Sequence, residues 1–91
     1  MKYEWDPKKN EENIRKHKIS FPEAAKALES GEIIYDIYDD VSSAIAGEDR
    51  YIAIVRINAI LLIVYTMRES ETVTRLISAR KIREKEVKRL C

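Results

Sequence analysis

The residues best suited to chemistry in this sequence are three arginines near its end, Arg68, Arg75 and Arg80. A guanidinium group donates two parallel hydrogen bonds to a phosphate and keeps its charge at any working pH. Cleavage of a phosphodiester through the ribose 2′-hydroxyl needs groups that hold the charged phosphate and groups that move protons, and it needs no metal. The three arginines could supply the charge in such a reaction.

Side chains other than these arginines would have to transfer the protons. Glu48 or Glu69 could act as the base, and His17, the only histidine, could act as acid or base. The residue types alone do not show that these groups meet the arginines, so the assignment stays open at this point.

Charge is distributed unevenly along the chain. From Met67 onward there are eight Lys and Arg against four Asp and Glu, whereas the first 66 residues carry nine against twelve, and the total is only +1. The basic end could face a nucleic acid. The competing interpretation is that the segment KIREKEVKRL is a solvated helix with ordinary charge pairs.

Metal and cofactor chemistry have little support in the sequence. His17 and Cys91 are single, and no carboxylate group has a familiar ligand spacing. Asp36, Asp39 and Asp40 could hold a hard cation, but a solvated strand end is the favoured interpretation. With two glycines in the chain there is no phosphate-binding loop, so we expect no metal and no cofactor.

Length and composition indicate a single domain over residues 1–91. The chain is 45% hydrophobic and 36% charged with a small net charge, which is typical of a globular protein and not of a disordered one. No signal peptide or membrane-spanning run is apparent, and the lone cysteine suits a reducing compartment, so we expect a cytoplasmic protein with no membrane partner.

Local signals predict the elements that must position these residues. Asp6 before Pro7 is typical of a helix start, Ser20 and Glu23 form a capping box, and Gly31 suits a left-handed helix end. Residues 39–49 have no clear period and are expected to form a connecting loop. The predicted elements are strands at 2–5, 33–38, 50–57, 60–68 and 72–77, and helices at 7–17, 21–30 and 79–90, the last capped by Ser78.

This order predicts an α+β fold. The strands follow one another while helices stand at the two ends, which indicates a mainly antiparallel sheet with two N-terminal helices and a C-terminal helix. One face of the sheet would be covered and the other free for binding. In this arrangement Arg80 would lie at the start of the last helix.

Three segments of the chain resemble a known family. They are YEWDPKKNEENIRKHKISFPEAAKAL, EDRYIAIVRINAILLIVYTMRE and RLISARKIREKE. In that order they are similar to the recurring motifs of the BrnT toxin family, and they cover nearly the whole chain. The resemblance implies a RelE-like ribonuclease fold.

The resemblance also implies a function and partners. BrnT-like proteins are toxins of type II toxin-antitoxin systems, so it implies metal-independent endoribonuclease activity on RNA, with the ribosome as one setting, and inhibition of translation. The implied protein partner is a ribbon-helix-helix antitoxin of the BrnA type, in a hetero-oligomer. Carried over by position, the family's basic and polar motif residues fall on Arg50, Arg68, Glu69, Arg75, Ser78 and Arg80, with Trp5, Asp6, His17 and Phe21 in the N-terminal motif. We expect the catalytic residues to be Arg80, Arg68, Arg75, Glu69 and His17, and the RNA-binding residues to be Arg50, Ser78, Lys81 and Arg83.

The sequence departs from the family pattern at a few positions. Lys18 stands where the family usually has Gly after the Lys-His pair, which makes a left-handed helix end costlier. Asp49 separates Glu48 from Arg50, Val55 replaces a usual Gly, and Glu71 lengthens a turn. Nothing in these changes removes the basic end.

Two other functions are compatible with the same surface. It could grip RNA or an acidic antitoxin without cutting anything, or the sheet and last helix could serve as a subunit interface. RNA degradation in the presence of EDTA would separate the enzyme from both, because only the enzyme hypothesis predicts cleavage without metal.

Overall fold

A computed structural model describes residues 2–90 of the chain, in which four helices pack on one five-stranded sheet. The sheet has the order β1-β5-β4-β3-β2, with β1 parallel to β5 and all other neighbours antiparallel. The predicted α+β class and mainly antiparallel sheet are therefore confirmed. The elements are β1 (Lys2–Glu4), α1 (Pro7–His17), α2 (Phe21–Ser30), β2 (Glu32–Tyr38), α3 (Asp40–Ala46), β3 (Tyr51–Arg56), β4 (Ile60–Arg68), β5 (Val73–Ile82) and α4 (Glu84–Leu90).

Both N-terminal helices begin where the local signals predict. The Asp6 carboxylate accepts the backbone N–H of Lys8 at 2.9 Å. At the start of α2 the Ser20 hydroxyl accepts the N–H of Glu23 at 3.2 Å, and the Glu23 carboxylate accepts the N–H of Ser20 at 3.1 Å. These bonds satisfy donors that the helices themselves leave unpaired.

The end of α1 is left-handed at a residue that is not glycine. Lys18 has φ 61° and ψ 25°, and its N–H donates to the carbonyl oxygen of Ile14 at 2.9 Å. An L-residue in this conformation costs roughly 1–2 kcal/mol because its Cβ approaches a neighbouring carbonyl oxygen. The chain therefore keeps the left-handed helix end even though it lacks the glycine that would make it easy.

Lys18→Gly should raise the free energy of unfolding by about 0.5–1 kcal/mol. The substitution relieves the strain of roughly 1–2 kcal/mol, and the greater freedom of glycine in the unfolded chain offsets about 0.4–1 kcal/mol of that gain. Lys16→Gly is the matched control, since Lys16 is helical and the same change there should destabilise. Urea midpoints at constant slope measure both, and a shift of the same sign in the two variants would contradict the argument.

Gly31 follows α2 for a different reason from the one predicted. Its backbone is extended, with φ −81° and ψ 170°, so the expected left-handed end is wrong. A Cβ at this position would lie 2.5 Å from Cγ1 of Val55 and 2.6 Å from the carbonyl oxygen of Ala27. Glycine is needed here because the chain passes too close to β3 for any side chain.

Residues 39–49 are not the connecting loop that the sequence suggests. Asp39 caps α3 by accepting the N–H of Ser42 at 3.2 Å, and Gly47 ends the helix in the left-handed conformation. The buried Ser43 Oγ accepts the N–H of Arg50 at 2.7 Å, which fixes the helix to the start of β3. The helix was missed because its residues are small or acidic and its apolar residues do not face the core.

The C-terminal boundary between strand and helix also differs from the prediction. β5 continues to Ile82 and pairs with β4 as far as Ile60, and α4 begins only at Glu84. Ser78 therefore caps no helix, and Arg80 lies within a strand. The expected position of Arg80 at the start of the last helix is therefore wrong, and any role for Arg80 must come from its place in the sheet.

The sheet carries an apolar cluster on each face. On one face α2 packs over a core centred on Phe21, and Trp5 meets Phe21 edge-on at 6.4 Å between ring centroids, while α1 lies against β5. On the other face α4 places Val87 against β3, β4 and β5. That second face was expected to be free, but α4 covers part of it. The second cluster comprises Ile54, Ile60, Leu62, Ile82 and Val87.

Candidate functional site

Four of the predicted site residues lie on one face of the sheet, the face that carries α4. On β5, Arg80, Ser78 and Arg75 stand opposite alternate residues of β4, and Arg68 is the next alternate residue of β4 itself. Alternate residues of a strand point to the same face, so these side chains share one surface. We call the four residues the arginine row. The β4 positions that define it are Leu62, Val64, Thr66 and Arg68.

A β-bulge keeps the arginine row on one face. The register of β4 against β5 shifts between Val64 and Tyr65, where Ser78 and Leu76 are the partners and Ile77 is the extra residue. Without the extra residue, Arg75 and Arg80, which are five positions apart, would point to opposite faces. The bulge is thus the local feature that brings these two arginines together.

Each arginine of the row is paired with a carboxylate. Arg80 donates to Glu86 of α4 at 3.1 Å, Arg75 to Glu4 of β1 at 2.7 Å, and Arg68 to Glu48 at 3.0 Å. Arg50, another predicted site residue, donates to the same Glu48. The guanidinium groups are therefore held in place before any ligand arrives.

These ion pairs are partly exposed, which sets their strength. The side chains of Arg80 and Arg68 are 42% and 46% accessible. Ion pairs at such positions contribute roughly 0–1 kcal/mol, since water competes with both partners. Each of these carboxylates accepts a single bond from its arginine, and a phosphate can displace it at little cost while accepting two parallel hydrogen bonds. The row measures about 20 Å, since Leu62 and Arg68 are six residue steps apart on β4 at about 3.3 Å each, and this is enough to follow several nucleotides.

His17 and Ser78 line the same cleft. This cleft of about 190 Å³ lies between α1 and the bulge of β5, and its walls also include Asn13, Lys16 and Ile77. Ser78 belongs to the arginine row, so His17 lines a cleft with one member of the row. An imidazole can accept or donate a proton near neutral pH.

The other predicted residues lie apart from the row. Lys81 pairs with Leu61, whose side chain is buried on the helix-covered face, so Lys81 points away from Arg80. Glu69 is exposed in the turn between β4 and β5, with φ 51°, directly after Arg68. Arg83 is exposed between β5 and α4. The structure therefore places Lys81 on the opposite face of the sheet from the arginine row. Glu69 follows the row after Arg68, and Arg83 lies beyond the end of β5.

Asn13 is a positioning residue that the sequence reasoning missed. It is buried, its Nδ2 donates to the carbonyl oxygens of Ile19 and Ala79 at 2.8 Å each, and its Oδ1 accepts the N–H of Ala79 at 3.1 Å. Because Ala79 lies between Ser78 and Arg80, this side chain fixes the edge of β5 inside the arginine row. The motif with Asn four residues before His17 contains the position, but a polar helix gives no sign that one asparagine is buried.

A larger cleft lies on the opposite face of the sheet. It has a volume of about 320 Å³, and Leu28, Ile33 and Met67 contribute apolar walls. At its margin the Tyr65 hydroxyl donates to Asp36 at 2.5 Å, and burial together with this carboxylate raises the pKa of Tyr65. The arginine row does not reach this cleft, so its size alone does not make it the site of phosphate chemistry.

The described residues contain no group of three or more potential metal ligands among His, Cys, Asp and Glu. Two members of the aspartate group considered from the sequence already have other bonds, since Asp36 accepts the Tyr65 hydroxyl and Asp39 caps α3. Cys91 lies outside the described residues.

No helix within residues 2–90 is both long and apolar enough to cross a lipid bilayer.

Comparison with known proteins agrees with this fold. A family model described as "Ribonuclease toxin, BrnT, of type II toxin-antitoxin system" matches residues 5–86. Among solved structures, the crystal structure of the Brucella abortus ribonuclease toxin BrnT is similar, with 25% sequence identity and a TM-score of 0.63. The alignment covers 92% of this chain and 99% of the Brucella chain. No curated protein sequence matches the chain.

The fold and the family match define a class, the ribonuclease toxins of type II toxin-antitoxin systems. Within that class the chain belongs to the BrnT family. Membership implies an RNA substrate and an antitoxin partner.

Proposed function

We propose that this chain is a metal-independent endoribonuclease that binds the RNA backbone along the arginine row and inhibits translation by cutting RNA. The observation that carries the proposal is the row itself, in which Arg68, Arg75 and Arg80 project from one face, each held by a weak and displaceable ion pair. Three preorganised guanidinium groups supply the charge stabilisation that a metal ion provides in other nucleases.

The reaction needs protons to move as well as charge to be held. The ribose 2′-hydroxyl must lose its proton as its oxygen attacks phosphorus, and the departing 5′-oxygen must gain one. His17 is the first candidate, because it lines a cleft together with Ser78. Glu69 is the second candidate, because it follows Arg68 at the end of the row. The turn at Glu69 and the cleft at His17 flank the part of the row that lies between Arg68 and Ser78.

The proposed partners follow from the family and from the charge of the row. RNA, free or on the ribosome, is the substrate, and the cytoplasm is the place of action because this substrate is found there. The proposed protein partner is an antitoxin of the ribbon-helix-helix BrnA type that forms a hetero-oligomer with the toxin. An antitoxin that covers the arginine row would block the site.

Cleavage of purified RNA by purified toxin should be the same in EDTA as in Mg²⁺. The reason is that the charge on the phosphate is met by guanidinium groups and not by a metal. Arg80→Ala, purified in parallel, is the control for contaminating nucleases, and it should show little cleavage in either buffer. Activity lost in EDTA and restored by Mg²⁺ would contradict metal independence. Binding without any cleavage would leave a non-catalytic RNA-binding module.

The affinity of the purified toxin for RNA should fall as the salt concentration rises. Single strands give a slope of about −0.7 in log affinity per log salt for each phosphate contact, so three arginine contacts predict a slope near −2. Fluorescence anisotropy with a labelled oligoribonucleotide across a salt series measures this slope. A flat response would mean that the arginine row does not bind phosphates.

A further inference from the structure

The helix α3 has its apolar side turned to solvent. Val41 and Ile45 are four residues apart and therefore lie on one side of the helix, where they are 67% and 83% exposed. Ser43 lies on the opposite side and is the buried residue of α3. A helix that packs only within its own domain buries its aliphatic residues and exposes its polar ones, and α3 has the opposite pattern.

The strand that leads into α3, β2, has one edge that no other strand of residues 2–90 pairs with. β2 is an edge strand of the sheet and pairs only with β3 among the strands of residues 2–90. Ile37 and Tyr38, just before α3, are exposed at 39% and 50%. Proteins usually protect such edges with Lys, Pro or a bulge. Here a register shift interrupts β2 between Ile33 and Tyr35, and the strand is regular from there to Tyr38. We call β2 residues 35–38 together with Val41 and Ile45 the docking surface.

The acidic charge next to the docking surface favours a basic binding partner. Between Lys26 and Arg50 the sequence has seven acidic residues and no basic one. Three of them adjoin the docking surface: Asp39 and Asp40 lie at the start of α3, and the Asp49 carboxylate accepts the Tyr38 hydroxyl. Phosphate backbones would be repelled here. Two copies of this chain that paired through the same surface would also bring these acidic segments together. A copy that offered its basic end instead would build an open chain of molecules rather than a closed dimer.

We propose that the docking surface binds the antitoxin, through an extended antitoxin segment that alternates apolar and basic side chains. The segment would add as a strand along β2 residues 35–38, its apolar side chains would cover Val41 and Ile45, and its basic side chains would meet the surrounding carboxylates. The identity of this partner rests on the proposed toxin function. The docking surface shares no residue with the arginine row, so the antitoxin can be held here whether or not another part of it blocks the row.

Ile45→Lys and Val41→Lys should each weaken antitoxin binding at least about tenfold, since each removes a buried aliphatic contact and opposes a basic segment. The probe is the purified protein encoded beside the toxin gene, titrated by calorimetry. Ile57→Lys is the matched control, because Ile57 is an exposed isoleucine, 43% accessible, in the link between β3 and β4, away from α3. It should bind within about twofold of wild type. Melting temperatures of all three variants should match wild type, since every substituted residue is exposed.

Amide exchange tests the strand pairing directly. Within residues 35–38, the alternate amides that point away from β3 should become protected in the complex, and unchanged exchange of those amides would overturn strand addition. Wild-type antitoxin affinity in both α3 variants would overturn the docking surface. A free toxin that is dimeric as wild type and monomeric as Ile45→Lys would overturn it as well, by giving the surface to a second copy. If the chain binds its antitoxin through Ile45 but cuts no RNA, the docking surface stands and the nuclease proposal fails.

Discussion

Arg80→Ala should slow RNA cleavage by about a hundredfold or more, which corresponds to roughly 3 kcal/mol of activation free energy. Arg80 lies within β5 and not at a helix N-terminus, so the stabilisation must come from its own guanidinium group. Its guanidinium group projects from a paired part of β5 near the end of the strand, where Glu86 orients it at 3.1 Å and a phosphate can take the place of that carboxylate. Single-turnover cleavage of an oligoribonucleotide and growth arrest on induced expression are the two measurements.

The chain offers a closely matched control in Arg56. Its side chain is 44% accessible, against 42% for Arg80, and it too donates to a glutamate of α4, Glu84 at 2.9 Å. Arg56 lies on β3, one strand beyond β4 and outside the arginine row. Arg56→Ala should therefore change the rate less than about threefold while removing an equivalent contact to α4. Equal loss of activity in the two alanine variants would mean that α4 is being displaced.

Arg80→Lys separates charge from geometry. A lysine keeps the positive charge but offers no planar fork, so it should recover only part of the rate. Full recovery would mean that the phosphate senses charge alone. A folded Arg80→Ala protein that still arrests growth at the wild-type level would place catalysis elsewhere and leave Arg80 as a surface charge.

The sequence predicts an element well where the local signals and the sheet favour the same structure. The bounds of α1 and α2 follow from Asp6 and from the Ser20 capping box, each confirmed by its hydrogen bonds. At β5 the local signals and the sheet favour different structures. Ser78 and Ala79 look like a helix start, but Ile60 to Leu62 of β4 form a buried strand whose backbone groups need partners. Strand pairing overrides the local helix preference, and β5 continues to Ile82.

The site is harder to predict than the elements. Residue type and the family resemblance single out the arginines, but their common face depends on a bulge at Ile77 that no residue type announces. The carboxylate partners are equally hidden. Arg75 meets Glu4, 71 positions away, only because β1 pairs in parallel with β5. Contacts of this kind arise from topology, so a linear pattern cannot reveal them.

Asn13→Ala should lower the free energy of unfolding by about 3–5 kcal/mol. Three hydrogen bonds are lost, each with a net contribution of about 0.5–1.5 kcal/mol, and the groups left behind at Ile19 and Ala79 are buried without partners. Those groups carry a further desolvation penalty, which is why the expected loss exceeds the sum of the bonds. Chemical denaturation with an unchanged slope would measure it.

Asn10→Ala is the control for this prediction. The Asn10 side chain also bonds a backbone group, accepting the N–H of Phe21 at 2.8 Å, but it makes this one bond and is only partly buried. Its loss should be about 1 kcal/mol. Asn13→Asp is a further test. A carboxylate can still accept the N–H of Ala79 but cannot donate to the two carbonyl oxygens. This variant should therefore be at least as destabilising as Asn13→Ala. If Asn13→Ala costs no more than Asn10→Ala, water must reach the edge of β5. The backbone between Ser78 and Arg80 would then be held by β4 alone.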